Sequence, residues 1–103
     1  MKKTVIKKSI VENLKMTRIP TSDLADGYRE LRPNAFKLLT YYYSKGDGWV
    51  FNNDVVANDL GVKFSTVRTL NRELVSKGYL LTVKGKVINY FVGKKEVSAY
   101  KSE

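Results

Sequence analysis

The chain has 103 residues, enough for one small domain burying roughly 60 to 70% of its unfolded surface and short for a second. It holds no cysteine and no histidine, which excludes disulfides, leaves a zinc site only carboxylates, and removes the Ser-His and Cys-His nucleophile pairs. The formal charge of +9, from 19 Lys and Arg against 10 Asp and Glu, asks for a partner of the opposite sign.

A hydrophobic fraction of 43%, with 12% aromatic residues, argues for a folded globule. Apolar stretches span only a few residues, so no segment is expected to cross a bilayer. The opening Met-Lys-Lys-Thr-Val-Ile starts like a signal peptide, but Lys7 and Lys8 interrupt any apolar region, and a cytoplasmic protein is the reading. Nothing here suggests an enzyme, a cofactor or a metal ion.

The positive charge is uneven. Residues 1–20 have six basic residues against one acidic, residues 21–61 four against six, and residues 62–103 nine against three. A concentration toward both ends suits a polyphosphate partner. The plain alternative is a solubilising charge.

In chain order, residues 1–13 form a basic arm whose Val5, Ile6, Ile10 and Val11 fit either a strand or a short helix. Leu14, Met16 and Arg18 alternate with Lys15 and Thr17 up to Ile19-Pro20, which predicts a short strand ended by proline. Thr21 or Ser22 can cap a short helix from Asp23 to about Ala25, and Asp26-Gly27 is a turn signal that should end it. Asp23, Asp26 and Glu30 resemble a magnesium set, although acids at a solvated helix start are the simpler reading.

Pro33 suits the first position of the next helix, where Ala35, Leu38, Leu39 and Tyr42 make one apolar stripe until Gly46. The run Tyr41-Tyr42-Tyr43 cannot form one stacking platform, because consecutive helical residues point about 100° apart. Tyr42 is assigned to the core, one neighbour to an edge or a dimer contact. After the Asp47-Gly48 turn, Trp49-Val50-Phe51 reads as a strand with Trp49 as a core anchor, and Asn52 or Asn53 caps the following helix.

Residues 56–70 have the spacing of a helix-turn-helix. Ala57 permits close approach of two helices, Gly61 takes the turn, and Val56, Leu60, Val62, Val67 and Leu70 close a shared core. The second helix runs from about Phe64 to Lys77, with Val67, Leu70 and Leu74 inward and Gly78 as its stop. Its remaining residues Ser65, Thr66, Arg68, Thr69 and Arg72 form a polar, basic face of the kind that enters a DNA groove. Residues 79–83 and 87–92 are β-rich runs around Lys84-Gly85-Lys86, which predicts a hairpin with a basic tip and a positive backbone angle at Gly85.

Together, Arg18-Ile19-Pro20, residues 31–39 from Leu31-Arg32-Pro33, Gly48-Trp49-Val50-Phe51, the helix-turn-helix and Lys77-Gly78-Tyr79-Leu80 resemble the winged-helix domain at the N-termini of phage and plasmid replication initiators and related small regulators. The likeness covers about residues 14–92. Members of that group usually cap the recognition helix with Ser or Thr, where this chain has Lys63 with Ser65 as an alternative cap. They also usually carry a further C-terminal region, where this chain ends eleven residues after its last strand. The resemblance implies a mobile-element DNA-binding protein, a stand-alone regulator more than an initiator.

The expectation is therefore an α+β winged helix-turn-helix over residues 14–92, with a three-helix core, a short N-terminal strand and a C-terminal β-hairpin wing. Residues 1–13 are its basic arm and residues 93–103 its tail. It should bind double-stranded DNA as a small phage- or plasmid-type transcription or replication regulator. Ser65, Thr66, Arg68, Thr69 and Arg72 would face the major groove, Lys84 and Lys86 would sit on the wing over the backbone, Lys2, Lys3, Lys7 and Lys8 would hold further phosphates, and Lys63 is a further DNA-binding residue. Operator-length specificity asks for a homodimer, built from the N-terminal segment, the Pro33–Lys45 helix or the tail. The competing reading is an adaptor or inhibitor of a host protein, with Phe64 as the residue to watch: buried it is core, exposed it meets a thymine methyl or a protein.

Overall fold

The computed structural model describes residues 4–7, 21–45 and 48–102. They form an α+β fold in the order β1 (Thr4–Lys7), α1 (Thr21–Glu30), α2 (Pro33–Tyr43), β2 (Val50–Phe51), α3 (Asn53–Leu60), α4 (Phe64–Ser76), β3 (Leu80–Lys84), β4 (Ile88–Val92) and α5 (Lys94–Ser102). The strand expected over residues 14–19 lies outside the described residues, as do Lys2, Lys3 and Lys8.

The open choice at Val5 and Ile6 resolves as strand. β1 lies inside a four-stranded mixed sheet of order β2-β1-β4-β3, antiparallel to β2 and parallel to β4. Thr4 and Ile6 are buried, as alternation on a pleated strand requires. Residues 4–7 are thus sheet and not a free arm: Lys7 is half-buried, opposite Phe91.

α1 continues through Asp26-Gly27, against the turn expected there. The Gly27 amide and carbonyl stay in the helical ladder, Leu31 N–H donating to Gly27 O at 3.0 Å. A Cβ on Gly27 would meet the Phe36 ring at 3.0 Å, so the missing side chain lets α1 lie against α2. That contact offsets the roughly 1 kcal/mol that glycine costs inside a helix. Asp23 is not a solvated acid either. It is 2% exposed, and its Oδ2 accepts the Tyr43 hydroxyl at 2.7 Å and the Lys94 amide at 3.1 Å, joining α1, α2 and the start of α5.

Pro33 opens α2, with Arg32 held extended before it as a residue preceding proline should be. Ala35, Leu38, Leu39 and Tyr42 are buried as their spacing predicts, and Tyr43 joins them. The helix stops at Ser44, two residues short of Gly46. Tyr42 is the hub of an aromatic core, with Phe51 and Tyr90 at 5.9 and 5.8 Å between ring centroids. Trp49 is a half-buried flank of that core, stacked on Phe51 at 4.5 Å with its other contacts to Tyr41 and the Lys45 ammonium.

Asn52 caps α3 by accepting the Val55 amide at 3.0 Å. Gly61 ends it in the left-handed region at φ 69°, and Val62 N–H reaches back to Ala57 O at 3.0 Å. Val56, Ala57 and Val67 are buried in the joint, with Leu60 and Leu70 partly buried against it. Val62 departs from this core: the turn projects it outward, 36% exposed. Open space surrounds the Gly61 α-carbon, so only backbone strain resists a side chain there. Gly61→Val should destabilise the fold by about 1 to 2 kcal/mol, the left-handed cost of an L-residue, as measured by urea unfolding.

β3 and β4 pair antiparallel from Leu80↔Val92 to Lys84↔Ile88, leaving a three-residue loop, Gly85 to Val87. Gly85 is not among the positive-φ glycines, contrary to expectation. The loop closes instead through Gly85 N–H donating to Val87 O at 3.0 Å. This hairpin does not stand free, because β4 also pairs with β1 and makes it half of the sheet. Within the segment expected as a tail, Lys94–Ser102 form α5, whose Val97 is buried and whose Tyr100 ring lies 4.4 Å from Phe91. Phe91 alternates with the core residues Tyr90 and Val92, so α5 covers the sheet face opposite the main core.

Candidate nucleic-acid interface

The candidate surface is built on α4. Val67, Leu70 and Leu74 recur at helical spacing and turn inward, with Asn71 buried beside them, its Oδ1 accepting the Tyr42 hydroxyl at 2.5 Å. Burial of that row fixes the rotation of the helix. Ser65, Arg68, Thr69 and Arg72 are consequently exposed, while Thr66 is half-buried at the margin. Thr69 donates its hydroxyl to Ser65 O at 3.1 Å, so part of its hydrogen-bonding capacity is used within the helix. Lys63 occupies the N-cap position without a side-chain cap bond and is exposed, and Ser65 is the second helical residue, not the cap.

Two grooves flank this face. One, of about 420 Å³, runs between α4 and β3, and Arg68, Arg72, Asn53, Thr82 and Lys84 line it with no carboxylate among the lining residues. The other, of about 530 Å³, lies toward the start of α2, lined by Thr69, Arg72, Lys77, Arg32, Glu30 and Glu73. Arg72 lines both and stands on the crest between them. Glu73 is already engaged: it accepts the Arg32 amide at 3.0 Å and pairs with the Arg32 guanidinium at 3.6 Å. The Arg68–Lys84 side is thus the more electropositive of the two.

Lys84 and Lys86 are exposed at the hairpin end, and Lys84 also lines a third hollow with Phe64, Asn52, Asn53, Asp54 and Tyr90. Of the sequence-assigned residues, Arg68, Arg72 and Lys84 share one groove, and Lys63, Ser65 and Thr69 lie along the same exposed face of the motif. Lys7 is separate, within the sheet. Two contributors went unassigned in the sequence. Asn53, a possible helix cap by sequence, lines the groove together with Tyr90. Burial holds the Tyr90 hydroxyl above the usual tyrosine value, and the Asn53 side chain pulls modestly the other way. Ser76, one turn past Arg72, lines both grooves.

Asp23, Asp26 and Glu30 do not converge as a metal site: Asp23 faces inward, while Asp26 and Glu30 pair with Lys94, and Asp26 also with Arg29. No group of three or more acidic, histidine or cysteine residues that could hold a metal occurs among the described residues. No helix among them is long and apolar enough to cross a membrane. No protein-family model, curated protein sequence or solved structure matches the chain.

Proposed function

We propose that this chain is a sequence-specific double-stranded DNA-binding protein with a winged helix-turn-helix as its working unit, a small transcription or replication regulator of phage or plasmid type. The observation that carries the reading is the groove where Arg68 and Arg72 of α4 meet Lys84 of the hairpin without a carboxylate among them. A cationic helix face beside a cationic hairpin matches a duplex, whose base edges and backbone present themselves side by side. The element order α2-β2-α3-α4-β3-β4, with a left-handed glycine between α3 and α4, supports the motif.

In this reading α4 enters the major groove, at least one of Arg68 and Arg72 reads a guanine, and Lys63, Lys84 and Lys86 hold phosphates. Lys2, Lys3, Lys7 and Lys8 are the further phosphate candidates. Of these Lys7 is the weakest, because its strand is paired on both sides. The working form is a cytoplasmic homodimer on two half-sites about one helical turn apart.

Selection of bound duplexes from a random pool is the direct test, and a palindromic consensus is the expected result. Binding should also weaken steeply with salt. Three neutralised phosphates give a log–log slope of about −3, at roughly −0.9 each. Duplex affinity that is indifferent to salt would sink the electrostatic account. The adaptor reading has one observation in its favour, the exposure of Phe64 and Val62 near the motif's turn. It takes over if the folded chain shows no duplex affinity at low salt.

A further inference from the structure

Phe64 is the first residue of α4 and is 44% exposed, although a phenylalanine at that point of the chain could have turned into the core. A large apolar ring left partly in water forgoes the stabilisation that burial would give it. Its surroundings define what would cover it. Lys63 precedes it, Arg68 follows one turn later on the same side of α4, and Lys84 shares its hollow, against a single acid, Asp54. An apolar ring framed by three cations fits a partner that is anionic overall and offers an isolated apolar group. A protein surface dominated by hydrophobic contact would not ask for that frame. In duplex DNA the group of this kind is the C5-methyl of thymine, displayed in the major groove beside the phosphates.

We propose that Phe64 packs on a thymine methyl and selects a T·A pair in the bound site. The inference rests on the DNA-binding reading above and adds to it a specificity determinant that is apolar. On a helix seated in the major groove, side chains three to four residues apart reach successive bases. The T·A pair read by Phe64 therefore neighbours the position faced by Arg68.

The test uses the full chain and its selected duplex, with each thymine in turn replaced by deoxyuridine, which removes the methyl and leaves every hydrogen-bonding group in place. For the unaltered protein one replacement should weaken binding about fourfold, the worth of one buried methyl. Phe64→Ala should bind thymine and deoxyuridine duplexes equally, and Phe64→Leu should retain a preference for thymine. If no deoxyuridine replacement weakens the unaltered protein, or if Phe64→Ala still discriminates by the same factor, the inference is overturned while DNA binding stands. A folded protein that binds no duplex before any replacement overturns both.

Discussion

Gly93→Ala should lower the stability of the fold by about 3 kcal/mol or more, combining a left-handed backbone penalty with an overpacking cost. The residue sits at φ 101°, and a Cβ built on it would overlap the Tyr43 hydroxyl and stand 3.0 Å from Asp23 Oδ2. The hydroxyl cannot retreat without breaking its 2.7 Å bond to a carboxylate that is otherwise sealed from water. Losing a buried hydrogen bond to such a group adds about 1.5 to 3 kcal/mol. Gly78→Ala is the internal control: its φ of 85° imposes a comparable backbone cost, but nothing lies within 4 Å of its Cβ position. In a domain of this size the Gly93 variant should melt about 12 °C or more below the parent, and well below the Gly78 variant. Equal melting temperatures would show that the Asp23–Tyr43–Lys94 junction does not hold α5 to the helical layer.

That junction also shows where sequence reading reaches its limit. The features legible in the chain are local: Pro33 opening α2, Asn52 capping α3, Gly61 turning between α3 and α4, and the inward row Val67, Leu70, Leu74. Each depends on neighbours within a turn or two, and the exposed face of α4 follows from the inward row by elimination. Asp23 finds its partners 20 and 71 residues away, and nothing in its local setting distinguishes it from Asp26 and Glu30, whose carboxylates form ion pairs nearer the surface. Asp26-Gly27 misleads for the same reason, since the ring that fills the space over Gly27 belongs to the next helix. β1 has four residues, too few for a period to show, and its central place comes from parallel pairing with a strand more than eighty residues on. Arg68 and Arg72 could be read from α4 alone. That Lys84 and Asn53 line the same groove depends on how the sheet seats against α4, and that is a tertiary fact.

Strong alkali should unfold this protein cooperatively, in a range set by its buried tyrosines. Tyr42, Tyr43 and Tyr90 are 0, 2 and 7% exposed. Burial is the first cause that pushes all three hydroxyls above the ordinary value of 10.0. The Asp23 carboxylate raises Tyr43 further, while Asn53 at Tyr90 pulls modestly the other way. A raised folded-state pKa means that the fold prefers the neutral phenol. Its contribution is complete below pH 10 and is lost as the pH climbs from there toward the folded-state values. Each such group removes about 1.4 kcal/mol per pH unit in that interval, so three together remove about 4. Against a total stability of about 5 to 15 kcal/mol, this places collapse one to a few pH units above 10. Tyrosinate absorbance and loss of helical circular dichroism should then rise together in one transition. Tyr42→Phe removes one of the three groups, so its alkaline loss should be shallower. At neutral pH it should be less stable by about 1 to 3 kcal/mol, because Asn71 Oδ1 loses its donor in the core. The two unfolding curves must therefore converge with rising pH. Curves that stay parallel from pH 8 to 12 would mean that the Tyr42 hydroxyl ionises without opposition from the fold, against the burial that surrounds it.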